Sequence, residues 1–504
     1  MEKKYIQIQE EDNVIIALQS INKDEVLSLN SKSIKVLEDI KLGHKIAAKD
    51  IKKDENIIKY GYPIGSAKFD IKKGSHVHTH NINTNLSEKV EYIYDEEKAK
   101  KLNKIWEEKN KVNNNIFINA FLRENGNIAI RNDIWIIPSV GCVNKIATSL
   151  ELWANDKIKG SNIDKVLALT HPYGCSQMGE DHENTKKILS DLVKHPHAGG
   201  VLVLGLGCEN NTIDKFKKEL GNYNPKRVKF LIAQESENEI EDSKKLLLEL
   251  IDYAKQSKRE KVSINKLKIG MKCGGSDGLS GISANPLVGL VCDKLVAYKS
   301  SVVLTEVPEM FGAEKILMDR CKNKDVFNSC VNLINNFKKY YIDNNQVVYE
   351  NPSPGNKDGG ITTLEDKSLG CVQKGGKAPI EGVLKYGDII KQGGLLLLDG
   401  PGNDIVSTTN MSASGVNLIL FTTGRGTPLG SVVPTIKIAT NKILATSKKN
   451  WIDFDASTIL EEDKYTIRDQ LINYIISLAN GDIKSKNEIN GYNEIAIFKN
   501  GVTL

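Results

Sequence analysis

A glycine-rich loop at residues 271–285, MKCGGSDGLSGISAN, has the residue types of an anion-binding site. An alternating apolar run precedes it, so the pattern predicts a strand that ends in a loop. Glycine tolerates positive φ and carries no side chain, which lets backbone N–H groups come close to a ligand. We therefore predict that Gly274, Gly275, Ser276 and Asp277 bind the anionic part of a substrate.

Three other apolar runs end in a Gly–Cys pair, at Cys142, Cys175 and Cys208, and Cys273 begins the glycine-rich loop. Thiolates and imidazoles hold transition metals. There is no C-x-x-C pair, which argues against a zinc ribbon or a ferredoxin-like site. Two interpretations stay open: Cys175, Cys208 and Cys273 contribute ligands to one metal ion, or all four cysteines bind an iron–sulfur cluster.

Histidines alternate in residues 76–81, HVHTHN. If this segment is a strand, His76, His78 and His80 share one face. Neutral imidazole suits iron, zinc or manganese, and histidine also serves as acid or base near neutral pH. We predict that His76 and His78 are metal ligands or catalytic residues, with His78 as a candidate base. Asn81 is predicted to contact the substrate.

Charged side chains follow several predicted strands. Glu209, Glu306, Glu309 and Asp277 are predicted to act as metal ligand or as catalytic base. Arg425 lies between two glycines and is suited to bidentate binding of a carboxylate, with a structural salt bridge as the alternative. Ligands bind beyond the carboxyl ends of the strands in open α/β sheets, so these side chains are expected at one pocket.

The elements that must position these residues change character along the chain. Short alternating runs separated by turns predict a small all-β domain over residues 1–82, followed by a charged linker over 83–115. Alternation of apolar runs with helix-like segments predicts an α/β domain with a mainly parallel sheet over 116–349. Residues 350–504 are predicted to form a C-terminal α/β domain.

Composition narrows the classes of function. The chain has 504 residues, enough for two or three domains. A net charge of +5 is too small to indicate nucleic-acid binding. No apolar run is long enough to span a bilayer and no signal-peptide pattern begins the chain, so no membrane contact and a cytoplasmic location are expected. The G-x-G-x-x-G, P-loop and G-x-S-x-G patterns all fail, which favours metal-assisted chemistry on a small anion.

With these residues in place, the chain resembles the sugar-acid dehydratase family of altronate and galactarate dehydratases. The resemblance extends to about residue 456, and residues 177–184 favour the altronate branch. It is carried by the segments GHKIAAKDI (43–51), NIIKYGYPIG (56–65), HVHTHN (76–81), PSVGCVN (138–144), HPYGCSQMGEDHENT (171–185), GLGCENN (205–211), CGGSDGLSGISANP (273–286), LTEVPEMFGAE (304–314), YENPSPGNKDGGITTLEDKSLGC (349–371) and TTGRGTP (422–428).

The resemblance implies a small N-terminal β-clip (SAF-like) domain followed by an α/β body. It also implies dependence on Fe²⁺ or Mn²⁺ and removal of water from a sugar acid. For D-altronate the product would be 2-keto-3-deoxy-D-gluconate, in the breakdown of galacturonate. The expected partner is a small anionic sugar acid, without nucleic acid, in a homo-oligomer.

Three alternatives stay open. The substrate is galactarate or that of a related hydroxyacid lyase or sulfo-lyase, the metal site is an iron–sulfur cluster, or the chain is a sugar-acid binding protein without activity. The metal ligands are expected among His76, His78, Cys175, Cys208 and Cys273.

Overall fold

The computed structural model describes residues 3–86, 91–349 and 351–501. Its N-terminal region consists of short strands joined by tight turns. The strands are β1 (Tyr5–Ile6), β2 (Val14–Ala17), β3 (Val26–Leu29), β4 (Lys32–Lys35), β5 (Lys45–Ala47), β6 (Asn56–Lys59), β7 (Tyr62–Ala67), β8 (His76–Val77) and β9 (Ile82–Asn83).

These strands form three small antiparallel sheets, of which the sheet β1-β2-β5-β8 positions the histidines. Strand β8 pairs with β5, with Ile46 opposite His76. His44 directly precedes β5, so this pairing brings it beside the histidine segment. The strand predicted across residues 76–80 ends at Val77, and a turn follows.

The charged segment predicted as a linker contains a helix, and the second region follows it with two sheets. The elements are α1 (Glu96–Lys109), β10 (Phe117–Leu122), β11 (Ile128–Ala129), β12 (Asp133–Pro138), α2 (Asn144–Lys157), β13 (Val166–Ala168), α3 (Gly179–Lys194), β14 (Ala198–Gly205), α4 (Ile213–Leu220), β15 (Val228–Ile232), α5 (Glu239–Ala254) and β16 (Arg259–Ser263). Strands β10, β11 and β16 form an antiparallel sheet. The other four form a parallel sheet in the order β13-β12-β14-β15.

The third region is built on a seven-stranded parallel sheet. Its elements are β17 (Lys268–Cys273), α6 (Ala284–Ala297), β18 (Ser301–Leu304), α7 (Glu314–Met318), α8 (Lys324–Asp343), α9 (Pro354–Asp358), α10 (Leu364–Cys371), β19 (Ile380–Leu384), β20 (Gly394–Leu398), α11 (Asp404–Ala413), β21 (Leu418–Thr423), β22 (Thr435–Ala439), α12 (Lys442–Ser447), β23 (Phe454–Asp455), α13 (Lys464–Asn480) and α14 (Lys486–Asn490).

The strand order of this sheet is β19-β20-β18-β17-β21-β22-β23, and every pair is parallel. Strands on both sides of residue 350 therefore share one sheet. The chain adds β18 to β20 on one side of β17 and then crosses to its other side for β21. The order reverses between β17 and β21, which is where open α/β sheets bind ligands.

The N-terminal region is joined to the third region through buried charge. The ammonium groups of Lys45 and Lys59 each lie 2.9 Å from a different oxygen of Asp366, and all three side chains are buried. Gly43 packs against the backbone of Gly278 and Gly359, too closely for a side chain to fit without movement. The segment that carries His44 is thereby held against the α/β body. Among the described residues, no helix is both long and apolar enough to cross a membrane.

Candidate functional site

A cleft of about 520 Å³ lies at the carboxyl edge of the seven-stranded sheet, beside the point where the strand order reverses. Its walls include Cys273, Gly274, Gly275 and Ser276, which follow β17. In the described part of the chain, the backbone N–H groups of Gly275 and Ser276 have no hydrogen-bond acceptor. Two unpaired N–H groups at the end of a strand are suited to binding an anion.

The floor of the cleft is a compact group of thiols and charged side chains. The Sγ of Cys273 lies 3.0 Å from Glu309 Oε2 and 3.5 Å from the Sγ of Cys371. Lys374 Nζ donates to Cys273 Sγ at 2.8 Å. Lys367 Nζ lies 2.9 Å from the other oxygen of Glu309. The anionic groups of the floor are therefore paired with two buried ammonium groups.

This pairing changes the protonation of the floor. The hydrogen bond with Cys371 lowers the pKa of the Cys273 thiol to about 7, and Lys374 and Lys367 act in the same direction against burial. The two lysines also overcome burial to lower the pKa of Glu309 well below its usual range. Burial and the negative charge of Cys273 act oppositely on Lys374, and its pKa is raised overall. Cys273 is thus a group of the cleft that changes protonation near neutral pH.

Next to the floor, Lys272 faces two carboxylates. Its Nζ lies 2.9 Å from Glu306 Oε1 and 2.6 Å from Asp404 Oδ1. Burial raises the pKa of Glu306 well above its usual range. Glu306 also accepts a hydrogen bond from the backbone N–H of Cys273. Glu306 therefore supports the end of β17, while Asp404 lines the cleft.

A second group of possible metal ligands lies in the N-terminal region. One ligand atom from each of His44, His76 and His78 lies within 4.8 Å of the others. His44 Nδ1 is 2.9 Å from His76 Nε2, and His44 Nε2 is 3.1 Å from the carbonyl oxygen of Asp358. The second contact fixes the ring, as outer partners of metal-binding histidines do. We call these three residues the histidine triad.

Burial keeps the histidine triad neutral. It lowers the pKa of His76 to about 3 and that of His78 to about 4, and neighbouring positive groups add to the effect. The pKa of His44 is lowered as well, chiefly by burial. The buried Nδ1 of His78 has no hydrogen-bond partner among the described residues. Neutral imidazoles with an unused nitrogen are the form that binds a metal ion.

One ligand atom from each of Cys273, Glu309 and Cys371 also lies within 4.8 Å of the others, as in the histidine triad. A divalent cation there would, however, lie beside the ammonium groups of Lys367 and Lys374. Coulomb repulsion in a buried environment disfavours that arrangement. The histidine triad fits a metal ion better than the floor of the cleft does.

Helix α9 connects the histidine triad to the cleft. Its last residue, Asp358, contacts His44, and its middle residue, Asn356, donates to the carbonyl of Ser276 at 2.9 Å. Asn356 Oδ1 also lies 3.2 Å from Lys367 Nζ. A helix of five residues is only about 7.5 Å long. The two sites therefore contact the same short helix.

Several residues predicted to bind substrate or act in catalysis have their polar groups engaged in holding loops. Asp277 is buried and accepts hydrogen bonds from Thr440, Ser280 and Asn441, among others. The side chain of Asn81 accepts a hydrogen bond from the backbone N–H of His78 and donates one to the backbone carbonyl of His76, so it holds the turn that positions both histidines.

Glu209 lies in the second region, not among the walls of the cleft. It accepts from the hydroxyl of Ser139 at 2.6 Å and from the N–H of Gly207 at 2.6 Å, and so braces its own loop. Burial opposes these bonds, but they lower its pKa overall. Arg425 is exposed and donates to the carbonyl of Gly355 at 3.0 Å, which places it beside α9.

The predicted set of metal ligands does not form one site. His76 and His78 belong to the histidine triad, whereas Cys273 belongs to the floor of the cleft. Cys175 and Cys208 are exposed thiols of the second region and belong to neither group. The physical reason is topological, because Cys175 and Cys208 follow strands of the four-stranded sheet, whereas Cys273 ends a strand of the seven-stranded sheet.

Sequence reasoning singled out Glu309 but not His44, Lys367, Cys371 and Lys374. His44 could have been found from the pairing of β5 with β8, which no local pattern reveals. Lys367, Cys371 and Lys374 come from helix α10 and the 3₁₀ turn after it, where their spacing is that of an ordinary helix face.

Comparisons with known proteins match the whole length of the chain. Family models match an altronate/galactarate dehydratase SAF domain over residues 3–85, the second domain of D-galactarate dehydratase/altronate hydrolase over 120–255, and the C-terminal part of D-galactarate/altronate dehydratase over 264–503. The family model that matches residues 3–85 confirms the predicted SAF-like domain, and the parallel sheets confirm the α/β body.

Curated relatives agree with the family models. An altronate dehydratase of Bacillus subtilis (strain 168) is 51% identical over 506 residues, covering 100% of both chains. An altronate dehydratase of Escherichia coli (strain K12) is 46% identical over 99% of this chain and 100% of its own. A galactarate dehydratase (L-threo-forming) of the same strain is 30% identical over 98% and 96%.

Proposed function

The chain belongs to the altronate and galactarate dehydratase family, and we propose that it removes water from D-altronate to give 2-keto-3-deoxy-D-gluconate. The choice of D-altronate as the substrate rests on the 51% identity to an altronate dehydratase along the full length of both chains. The cleft supports it, because it combines an anion cradle with a group that titrates near neutral pH.

We assign the substrate carboxylate to the N–H groups of Gly275 and Ser276, with the guanidinium of Arg425 at the mouth of the cleft. The proton on the carbon next to a carboxylate is only weakly acidic. Fixed N–H dipoles and a guanidinium stabilise the charge that develops on the carboxylate when that proton leaves. The same groups orient the sugar chain toward the floor.

We assign the base to Cys273. The hydrogen bond with Cys371 and the nearby ammonium groups lower the pKa of this thiol to about 7, which favours the thiolate that accepts a proton. It takes the proton from C2, and the C3 hydroxyl leaves as water once it has gained a proton. The resulting enol then becomes the 2-keto acid without further catalysis. This assignment replaces His78, His76, Glu209 and Glu306 as candidate bases.

We propose that the histidine triad holds the metal ion, Fe²⁺ or Mn²⁺, because imidazole nitrogen suits both. A divalent ion supplies a Lewis acid that stabilises negative charge on oxygen. His44 is oriented by the carbonyl of Asp358, and Asn81 orients His76 and His78. The predicted homo-oligomer and cytoplasmic location stay predictions.

The experiment compares D-altronate, galactarate and D-glucarate as substrates of the purified protein with Fe²⁺ or Mn²⁺, with release of the 2-keto-3-deoxy acid measured by mass spectrometry. We expect turnover of D-altronate with a kcat/KM at least about 100-fold above that for galactarate, a discrimination of about 3 kcal/mol. Faster turnover of galactarate would contradict the proposed substrate and indicate a galactarate dehydratase. Binding of all three acids without product would show a sugar-acid binding protein.

The role of Cys273 is tested with Cys273→Ser in the same assay. Loss of the base should lower kcat by about 100-fold or more, with a smaller change in KM. Cys330→Ser is the control, since Cys330 is a buried thiol paired with Cys321 outside the cleft. An unchanged kcat in Cys273→Ser would remove this thiol from the reaction.

A further inference from the structure

We propose that Cys142, Cys175 and Cys208 bind an iron–sulfur cluster at the carboxyl edge of the four-stranded sheet, separately from the metal ion of the histidine triad. All three are free and exposed, whereas the other five cysteines of the chain are buried. Exposed free thiols are a liability to a protein, because they oxidise and cross-link. Three exposed free thiols at one edge of one sheet therefore indicate a bound ligand.

The sheet topology brings the three thiols to one place. Cys142 follows β12, Cys175 follows β13 and Cys208 follows β14. In the sheet, β12 lies between β13 and β14, and all three strands are parallel. Neighbouring strands are about 4.8 Å apart, so their carboxyl ends emerge next to one another.

Hydrogen bonds tie the three loops together beside the cysteines. The N–H of Gly141, next to Cys142, donates to the carbonyl of Tyr173 at 2.8 Å. The N–H of Ser176, next to Cys175, donates to Asn210 Oδ1 at 2.8 Å.

A direct backbone contact completes this arrangement. The N–H of Asn211 donates to the carbonyl of Gly174 at 3.1 Å, and Gly174 packs so closely on Ser139 that no side chain fits there. The loops therefore form one rigid frame for the thiols.

The separation of the three sulfur atoms argues against a single ion bound by all three. The three sulfur atoms do not form a group within 4.8 Å of one another. Two thiolates on one zinc-like ion can be at most about 4.6 Å apart, because each metal–sulfur bond is about 2.3 Å. A cubane cluster instead binds each thiolate through a different iron, so it needs a wider triangle.

The surroundings suit an anionic cluster. Each cysteine precedes the N-terminus of a helix, α2, α3 or α4, and helix N-termini carry partial positive charge. Gln234 Nε2 donates to Cys208 Sγ at 3.6 Å, and hydrogen bonds to the sulfurs stabilise the reduced form of such clusters. Glu209, the carboxylate of this loop, is hydrogen-bonded to Ser139 and to backbone N–H groups.

Three thiolates ligate three irons of a [4Fe–4S] cluster and leave the fourth without a protein ligand. The inference does not rest on the substrate proposed above, because all three thiols lie outside the cleft. It also changes the earlier four-cysteine alternative, since Cys273 is bonded to Glu309, Cys371 and Lys374 instead.

The test is anaerobic reconstitution of the full chain with ferrous iron, ferric iron and sulfide in a 2:2:4 ratio, which forms [4Fe–4S]²⁺ without an added oxidant as three thiols release their protons. We expect about four irons and four acid-labile sulfides per chain and a broad absorbance band at about 400 nm. Cys142→Ser, Cys175→Ser and Cys208→Ser should each lose most of the band. Cys273→Ser, the matched control, should keep it.

Thermal unfolding separates loss of the cluster from loss of the fold, since serine at an exposed thiol should leave the Tm of the metal-free protein unchanged. Iron without acid-labile sulfide, or a band that survives when all three cysteines are replaced, would overturn the inference. Dehydration of D-altronate measured on the same samples is independent of that result. A cluster without turnover would overturn the proposed function and leave this inference standing.

Discussion

The histidine triad and the floor of the cleft are alike in geometry and differ in the charge of their side chains. Each places three ligand atoms within 4.8 Å. Around the histidines, burial keeps all three rings neutral. Around Cys273 and Glu309, two buried lysines neutralise the anions. In our proposal the countercharge, and not the distance between donors, distinguishes the metal site from the group that transfers protons.

Replacement of a triad histidine should have the largest effect. In His76→Ala, loss of one of three ligands should lower metal affinity and kcat by about 100-fold or more, because loss of even an outer partner costs about 10–100-fold. Metal content after dialysis and turnover of D-altronate measure this. His80→Ala is the control, since His80 is the exposed neighbour of His76 in the same turn. Equal metal content in His76→Ala and the unmodified protein would contradict the assignment.

Replacing one of the two lysines that neutralise the floor of the cleft tests the role of countercharge. Lys374→Met leaves Cys273 and Glu309 buried with one positive group fewer, which should lower the free energy of unfolding by about 3–5 kcal/mol. Urea unfolding measures the change. Lys377→Met, an exposed lysine three positions away, should have almost no effect.

The same variant should also bind metal at the floor. If countercharge excludes a cation there, Lys374→Met should take up Zn²⁺ beyond the amount bound by the histidine triad. Isothermal titration of His76→Ala with and without Lys374→Met isolates this second site. Absence of new binding in the double variant would show that countercharge is not what distinguishes the two groups.

Lowering the pH should reduce the folding stability of the metal-free protein, because His76 and His78 are neutral in the folded state. The pKa values of His76 and His78, about 3 and about 4, lie below the ordinary value of 6.5. As the pH falls below 6.5, the unfolded chain therefore binds protons before the folded chain, so stability falls between pH 6.5 and about 4. Tm measured across this range should fall less in His76→Ala. Identical slopes would show that the ring titrates normally.

The smallest effect is expected at Asn81. Asn81→Ala removes the bonds that orient His76 and His78 but leaves both rings in place. Metal affinity should fall by about 10-fold, as for an outer partner of a metal ligand. Asn81→Asp keeps the acceptor for the His78 N–H and should recover part of the affinity. No change in Asn81→Ala would leave this side chain with a role in folding only.

The sequence was most informative where function depends on local pattern. The pattern HVHTHN indicated that His76 and His78 lie close together, and the glycines after β17 indicated a loop that lines a cleft. Pairings over long distances were not visible. His44 reaches His76 through the β5–β8 pairing, and the sheet that joins β18 to β20 crosses the joint seen at residue 350.

Shared residue type also misled the interpretation of the cysteines. The four cysteines near strand ends looked equivalent, yet three follow strands of one sheet and Cys273 ends a strand of another. Nothing in the local sequence shows which sheet each of these strands joins. The difference lies in the partners, because Lys374 and Glu309 reach Cys273 from segments far along the chain.

The most direct test of the metal assignment is a crystal structure of the Mn²⁺- or Fe²⁺-loaded protein with anomalous diffraction at the metal edge. We predict one mononuclear peak within about 2.1 Å of an imidazole nitrogen of each of His44, His76 and His78. A mononuclear peak bonded to Cys273, Glu309 and Cys371, with none at the histidine triad, would contradict the account.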